Sequence, residues 1–255
     1  MLSEIFPKER LQEFYHDLTS EFSPGELEGY ECLFMPHIGH GYKAAKQKIM
    51  FVGKDPNGHG EGNLLKLNQC IQQQSTADKL GKITERFVES DWANPGPGKH
   101  QSPFSQFLLT FTWGILNNLQ DLPTLWSSKA HAEQVFDSIV WTNVLKTARR
   151  IGENDFVVDR KFEEFHIRRF KTLPDEIKIL KPDLIIFTVP WSWEKTLQRI
   201  WPDMVSRPLL QGKDTAVLSG IYDKALVVRC RHPQGWPNAA KASFYREIVK
   251  RLRRT

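Results

Sequence analysis

Four apolar runs in this sequence each end in a short stretch of residues that could take part in chemistry. Together the stretches supply an acid, a side-chain amide, a histidine and several basic residues, which are groups that bind and act on polar ligands. They are Gly53-Lys54-Asp55-Pro56-Asn57, Asn143 with Lys146, Pro190-Trp191, and Arg231-His232-Pro233-Gln234-Gly235-Trp236. The stretches form one site only if the fold brings the ends of the runs together.

The apolar runs are typical of strands that are buried on both faces of a sheet. We predict strands at 48–52, 138–143, 181–189 and 224–230, with a short extra strand at 215–218. Residues 23–47 and 91–103 are rich in Gly and Pro and are predicted to be irregular. The predicted helices cover 7–21, 64–74, 78–89, 104–119, 129–137, 160–180 with an irregularity at Pro174, 191–201 and 239–254.

Strands that alternate with helices form a parallel sheet with helices on both faces. We therefore predict an α/β fold, a three-layer α/β/α sandwich with a central, mainly parallel four-stranded sheet, in a single domain over 1–255. Ligand sites in such sheets form just outside the carboxyl ends of the strands. The acid, the amide, the histidine and the basic residues are thus expected at one edge of the sheet.

Composition argues against several classes of protein. Hydrophobic residues make up 40% of the 255 residues and charged residues 25%, which favours a packed core over disorder. No apolar run approaches the ~20 residues that cross a bilayer, and the N-terminus lacks the apolar segment of a signal peptide, so we expect no membrane partner and no secretion.

Cysteine and histidine spacing gives no metal motif. Cys32, Cys70 and Cys230 form no C-x-x-C pair, and His37 and His40 have no further ligands in a recognisable pattern. We expect a monomer without metal or cofactor in a reducing, intracellular (cytoplasmic) setting.

The formal net charge of +5 fits a polyanionic partner such as DNA. Much of the excess lies in the C-terminal run 245–254. That run either contacts phosphates or forms a helix whose basic end complements its own dipole.

Three motifs, in order along the chain, resemble those of the uracil-DNA glycosylase superfamily. Gly53-Lys54-Asp55-Pro56 resembles its Gly-x-Asp-Pro turn, 141–146 resembles the strand whose terminal Asn reads the base, and 232–235 resembles its His-Pro-Ser motif. Residues 182–187 resemble the penultimate strand of the family. The resemblance implies a DNA glycosylase of base excision repair, which flips a damaged base out of single- or double-stranded DNA and hydrolyses its N-glycosidic bond.

The resemblance also implies roles for individual residues. Asp55 would stabilise the sugar cation and orient the attacking water, and His232 would donate to the base oxygen where negative charge grows. Asn143 would hydrogen-bond the base edge and select uracil over cytosine. The other implied substrate-binding residues are Gly53, Lys54, Pro56, Asn57 and Phe104, and the implied DNA contacts are Lys146, Arg231, Pro233, Gln234, Gly235 and Trp236.

The sequence departs from the best-known branch of the family at three places. Asn57 stands where that branch has a Tyr, and 58–69 contains no aromatic residue to stack on uracil, a role that Phe87, Trp92 or Phe104 could take. Trp236 stands in place of an apolar wedge. It either fills the hole left by an extruded base or packs under its own loop.

Other interpretations of these residues stay open at the level of sequence. Asp55 could be a turn former, Asn143 a cap and His232 a structural histidine. The chain could also be a non-catalytic nucleic-acid binder on the same fold, or an α/β enzyme acting on a small nucleotide. The last is disfavoured by the lack of a G-x-G-x-x-G or Walker motif.

Overall fold

The computed structural model describes residues 7–21, 23, 30–33, 36–54, 61–63, 103–123, 129–146, 148–150, 156–157, 160–169, 171–189, 193–200, 207–210, 217–222, 225–230, 233 and 235–253. Within these ranges the α-helices are α1 Pro7–Ser20, α2 Pro103–Leu116, α3 Lys129–Asp137, α4 Arg160–Arg168, α5 Leu173–Leu180, α6 Glu194–Ile200 and α7 Asn238–Leu252. The strands are β1 Tyr30–Leu33, β2 His37–Ile38, β3 Ile49–Gly53, β4 Glu61–Asn63, β5 Ile139–Asn143, β6 Ala148–Arg150, β7 Phe156–Val157, β8 Leu184–Phe187, β9 Arg207–Leu210, β10 Val217–Tyr222 and β11 Ala225–Arg229.

The four predicted main strands are neighbours in one mixed sheet. The strand order is β2-β5-β3-β8-β11-β10-β9. Both β3 and β11 pair in parallel with β8, with Ile49 and Leu226 each opposite Leu184. The α/β class is therefore confirmed, and the carboxyl ends of these three strands lie at the same edge of the sheet.

The predicted number of four strands is wrong, because the sheet has seven strands in the described part of the chain. The extra strands β10 and β9 continue from β11 in antiparallel fashion, and the two-residue β2 forms the other edge. Antiparallel strands outside the centre of a sheet carry weaker apolar signals than central parallel ones, so the sequence pattern marks only part of β10.

Burial of the central strands explains their continuous apolar sequence. Every residue of β5, β8 and β11 is buried, as is every residue of β3 except Gly53, so both faces of the sheet are covered. On one side Phe51 meets Phe111 of α2 edge to face, with ring centroids 6.3 Å apart. Phe111 also packs on Phe244 of α7 at 5.5 Å, which ties α2 and α7 into the core.

Contacts divide the chain into two compact units, each made of separate segments. The first draws on Met1–His37, Gly53–Phe87 and Thr142–Lys181, and the second on Ile38–Val52, Val88–Trp141 and Pro182–Thr255. The described part of the first unit contains an antiparallel sheet in the order β4-β1-β6-β7, and its helix α1 packs against α5. The single-domain organisation stays a prediction.

Most predicted helices agree with the structure within a few residues, but 160–180 is two helices. The break precedes Thr172, which stands at the N-cap of α5, and Pro174 falls in the first turn of that helix, where its missing N–H costs little. The prediction that 23–47 is irregular is wrong for β1 and β2. The predicted helices at 64–74 and 78–89 lie outside the described residues, and none of the described helices is long and apolar enough to cross a membrane.

Candidate functional site

Two of the predicted chemical stretches meet where β3 and β5 end. The backbone N–H of Val144 donates to the carbonyl of Gly53 at 2.9 Å, and the N–H of Leu145 donates to the carbonyl of Lys54 at 2.9 Å. These bonds continue past the last strand residues, Gly53 and Asn143. The turn that leads to Asp55 is thereby anchored to the segment that carries Asn143.

The glycine in this turn makes room for the Asn143 side chain. A Cβ atom at position 53 would collide with Oδ1 of Asn143 and would lie 3.5 Å from its Cγ. Only glycine lets a side-chain amide lie directly against the backbone here without a shift of either group. Gly53 and Asn143, which the sequence placed in separate motifs, are thus in direct contact.

Asn143 is buried, yet one of its polar atoms is unused. The residue is 2% exposed, and its Nδ2 has no hydrogen-bond partner among the described residues. An unbonded buried donor costs about 1–3 kcal/mol, a cost that a hydrogen bond to a ligand would remove. The carboxamide is available to donate through Nδ2, which is the property required of a group that reads a ligand edge.

Thr142 and Lys146, which flank Asn143 in the chain, belong to a buried ionic cluster that the sequence does not predict. Nζ of Lys146 lies 2.8 Å from both carboxylate oxygens of Glu176 and donates to Oγ1 of Thr142. Thr142 donates to Oε2 of Glu176 at 3.0 Å, and the hydroxyl of Tyr15 donates to Oε1. The four side chains, from α1, α5, the end of β5 and the segment after it, satisfy one another.

This cluster corrects the predicted role of Lys146. Its side chain is fully buried and ion-paired, so its ammonium is not presented to a DNA phosphate. Burial lowers the pKa of Lys146, against the opposing attraction of Glu176. Burial, with Glu176 as a second cause, raises the pKa of Tyr15 well above its usual value.

The predicted role of Trp236 is corrected in the same way. Trp236 is 3% exposed, and its ring packs on Phe107 of α2 at 5.7 Å and on Phe244 of α7 at 5.4 Å. The side chain therefore holds its loop on the core and is not displayed as a wedge. Of the two sequence interpretations, the structure supports packing.

The loop before α7 has the tight backbone that its sequence predicts. Gly235 has a φ of +71°, a conformation that strongly favours glycine, and the N–H of Trp236 donates to the carbonyl of Pro233 at 3.2 Å. Pro233 is buried and Gly235 is exposed. Phe104, at the start of α2, is half-buried with its ring 6.1 Å from that of Trp141, and Lys54 is half-buried.

Several predicted site residues lie outside the described part of the chain. They are Asp55, Pro56, Asn57, Arg231, Gln234 and His232, together with the candidate stacking residues Phe87 and Trp92. Among the described residues no group of three or more His, Cys, Asp or Glu side chains could hold a metal ion.

Neither a scan against protein-family models nor a search of curated proteins finds a match to this chain.

Glu176 is the member of the buried ionic cluster that the sequence does not single out, although the sequence contains a signal for it. Helix α5 buries Leu173, Glu176, Ile177 and Leu180, a spacing that places all four on one face. An acid within an apolar face must find a partner, because an unpaired buried charge is very costly. Nothing in the local sequence identifies that partner as Lys146, which is 30 residues away.

Proposed function

We propose that this chain is a DNA N-glycosylase of the uracil-DNA glycosylase type, which flips uracil or a related damaged base out of DNA and excises it. The observation that carries the proposal is the buried Asn143 carboxamide at the end of β5, which lies against Gly53, two residues before Asp55, with Nδ2 lacking a hydrogen-bond partner among the described residues. The motif resemblance supplies the reaction, and the geometry at Gly53 and Asn143 supports it.

A carboxamide is suited to telling uracil from cytosine. Uracil presents a carbonyl at C4 and an N–H at N3, so Nδ2 donates to the first and Oδ1 accepts from the second. Cytosine presents an amino group and an unprotonated nitrogen at the same positions, which reverses the donors and acceptors. A buried and fixed amide strengthens this discrimination. With cytosine, donor would face donor and acceptor would face acceptor, and no water could reach these groups to replace the missing hydrogen bonds.

Asp55 is assigned the role of stabilising the sugar. It directly follows Lys54, whose carbonyl accepts a hydrogen bond from the N–H of Leu145. Because consecutive Cα atoms are ~3.8 Å apart, Asp55 is one short step along the chain from this hydrogen bond. When the bond between C1′ and the base nitrogen breaks, its electron pair leaves with the base and positive charge develops on the sugar. The Asp55 carboxylate stabilises that charge and orients a water, whose oxygen bonds to C1′ and which loses a proton. The departing base anion gains a proton in turn, by way of the solvent.

His232 is assigned to the departing base. A donor aimed at the base oxygen stabilises the negative charge that the leaving electron pair places there. The products are the free base and an abasic site, and the reaction needs no oxidant or reductant. DNA contact is assigned to Lys54, to Arg231 and to the loops of Pro56 and 233–235, without Lys146 and Trp236.

A panel of oligonucleotides tests the proposal. Each strand carries one modified base, is offered single- and double-stranded, and is scored for abasic sites. The proposal requires abasic sites at uracil or at another deaminated or damaged pyrimidine. Binding to the modified strands without abasic sites would show a non-catalytic binder instead.

A further inference from the structure

The segment that carries Asn143 is held from two sides. On one side the backbone N–H groups of Val144 and Leu145 bond to the turn after β3. On the other side the side chains of Thr142 and Lys146, one residue before and three residues after Asn143, both bond to Glu176. Asn143 is therefore fixed at the centre of a doubly tethered stretch.

The geometry of the strand separates the side chain that bonds to the ionic cluster from the carboxamide that lies against Gly53. Successive side chains of a strand point to opposite faces, so Thr142 faces Glu176 while Asn143 faces Gly53. The ionic cluster can thus hold the backbone at Asn143 without using either polar atom of its carboxamide. Lys146 adds to this by donating back to Thr142, which closes the segment on itself.

Stability alone is a poor reason for such a cluster. Buried ion pairs contribute little beyond what well-packed apolar residues of the same volume would, since the desolvation of both charges offsets their attraction. Their hydrogen bonds do impose a direction, because each oxygen of Glu176 has a specific donor. A cluster that costs desolvation and fixes geometry suits a residue whose orientation matters.

We infer that Glu176 is a positioning residue for Asn143, acting through Thr142 and Lys146, and that it sets the preference of the site for uracil over cytosine. The preference for uracil rests on the proposed function, whereas the positioning of the Asn143 carboxamide does not. Orientation errors of about 1 Å can cost ~10²-fold in rate, so a loosened tether has a measurable effect.

The test uses variants that remove the tether without leaving a buried charge unpaired. Glu176→Gln alone strands the Lys146 ammonium and can unfold the chain, so it is combined with Lys146→Met. Thr142→Val removes the hydroxyl and keeps the shape of the side chain, whereas Thr142→Ser keeps the hydroxyl. Thr110→Val is the matched control, since Thr110 is also buried but bonds within its own helix to the carbonyl of Gln106.

Two readouts separate the inference from the proposed function. The first is the single-turnover rate on uracil and on cytosine oligonucleotides, measured beside the melting temperature. The second is the side-chain amide signal of Asn143 in ¹⁵N-labelled protein, assigned by its loss in Asn143→Asp. The second readout does not depend on activity.

We expect the double variant and Thr142→Val to lower the uracil-to-cytosine rate ratio about tenfold or more and to shift or broaden the Asn143 amide signal. Thr142→Ser and Thr110→Val should leave both readouts as in the parent. An unchanged ratio and an unmoved amide signal in folded Thr142→Val would overturn the inference. If the parent excises no base, the proposed function fails, and the amide signal alone decides whether Glu176 positions Asn143.

Discussion

At the scale of single residues, the proposed function assigns base recognition to the carboxamide of Asn143, whose Nδ2 has no hydrogen-bond partner among the described residues. Asn143→Asp replaces this donor with an oxygen, which can accept from the amino group of cytosine but cannot donate to the carbonyl of uracil. We expect excision of uracil to fall ~10²-fold or more and the preference to move toward cytosine. Single-turnover rates on the two substrates check this.

The control for this substitution is Asn117→Asp. Asn117 is exposed at the end of α2, where its Nδ2 donates to the carbonyl of Trp113 at 2.9 Å. The Asn117→Asp protein should excise uracil at the same rate as the parent. An Asn143→Asp protein with parental rate and preference would remove Asn143 from base recognition.

Gly53 gives a second prediction at this scale, because its missing Cβ leaves room for Oδ1 of Asn143. Gly53→Ala should destabilise the protein by about 1–3 kcal/mol through overpacking. In an Asn143→Ala background the colliding oxygen is absent, so the same change should cost much less. Urea unfolding of the four proteins of this double-mutant cycle measures the coupling. Additive effects would mean that the two residues do not compete for space.

At the scale of elements, Trp236 joins the loop before α7 to helices α2 and α7. Trp236→Ala removes a buried ring between Phe107 and Phe244, which should cost about 3–5 kcal/mol of unfolding free energy. Excision from duplex and from single-stranded DNA should fall in equal proportion under conditions where the variant is partly unfolded. Thermal melts and rates on both substrates test this.

Leu119→Ala is the control, because Leu119 is a large apolar residue that is exposed. It should change neither the melting temperature nor the rates appreciably. A loss confined to duplex DNA with an unchanged melting temperature would restore the wedge interpretation of Trp236.

Tyr245 makes the packing of α7 sensitive to alkaline pH. Burial raises its pKa from 10.0 to about 12, and its hydroxyl donates to the carbonyl of Leu119 at 2.9 Å. Below pH 10 Tyr245 is protonated in both the folded and the unfolded state, so its full contribution to the free energy of unfolding is present. Between about pH 10 and 12 the unfolded chain loses the proton first, and this stability is lost as the pH rises.

The Tyr245→Phe protein should therefore lose less stability than the parent between pH 10 and 12, although it is less stable at neutral pH by roughly one hydrogen bond, ~1 kcal/mol. Chemical denaturation at several pH values measures the difference. Tyr15 and Tyr42, whose pKa values are also raised by burial, remain in both proteins and cancel in the comparison. Parallel pH profiles for the two proteins would contradict the assignment.

What the sequence predicts well at this scale is the central sheet. Strands β3, β5, β8 and β11 are buried on both faces, and this produces the continuous apolar runs that mark them. The short strands β1, β4, β6 and β7 form an antiparallel sheet of two to four residues per strand, too short for alternation to be visible. Their pairing depends on residues far apart in the chain, which local patterns do not encode.

The site was predictable to a similar extent. The order of the sheet places the ends of β3 and β5 side by side, so the contact of Gly53 with Asn143 follows from motifs and topology. The partners of Glu176 do not follow, since Tyr15 lies 161 residues from it in the chain, and Thr142 and Lys146 lie 34 and 30 residues from it. The burial of Lys146 does not follow from the sequence either, and the sequence leaves two interpretations of Trp236, because basic and aromatic residues in loops are usually exposed and their burial depends on tertiary packing.

At the scale of the whole molecule, part of the C-terminal basic run lines a cavity with residues that precede β3. Val249, Leu252 and Arg253 of that run share a cavity of about 450 Å³ with Lys46 and Gln47, which precede β3. Arg251 also pairs with Glu247 at 3.0 Å within α7, which fits a basic helix end that complements its own dipole. Contact of this run with DNA phosphates stays a prediction.

Catalysis by Asp55 is the central claim, and the most direct test compares the parent with Asp55→Asn on an oligonucleotide that contains one uracil. Single-turnover formation of abasic sites gives the rate, and a binding titration with the same strand gives the Kd. An electrostatic group that acts mainly in the transition state predicts that Asp55→Asn lowers the rate ~10²-fold or more and leaves the Kd nearly unchanged. A parent that forms no abasic sites, or an Asp55→Asn protein as fast as the parent, would contradict this account.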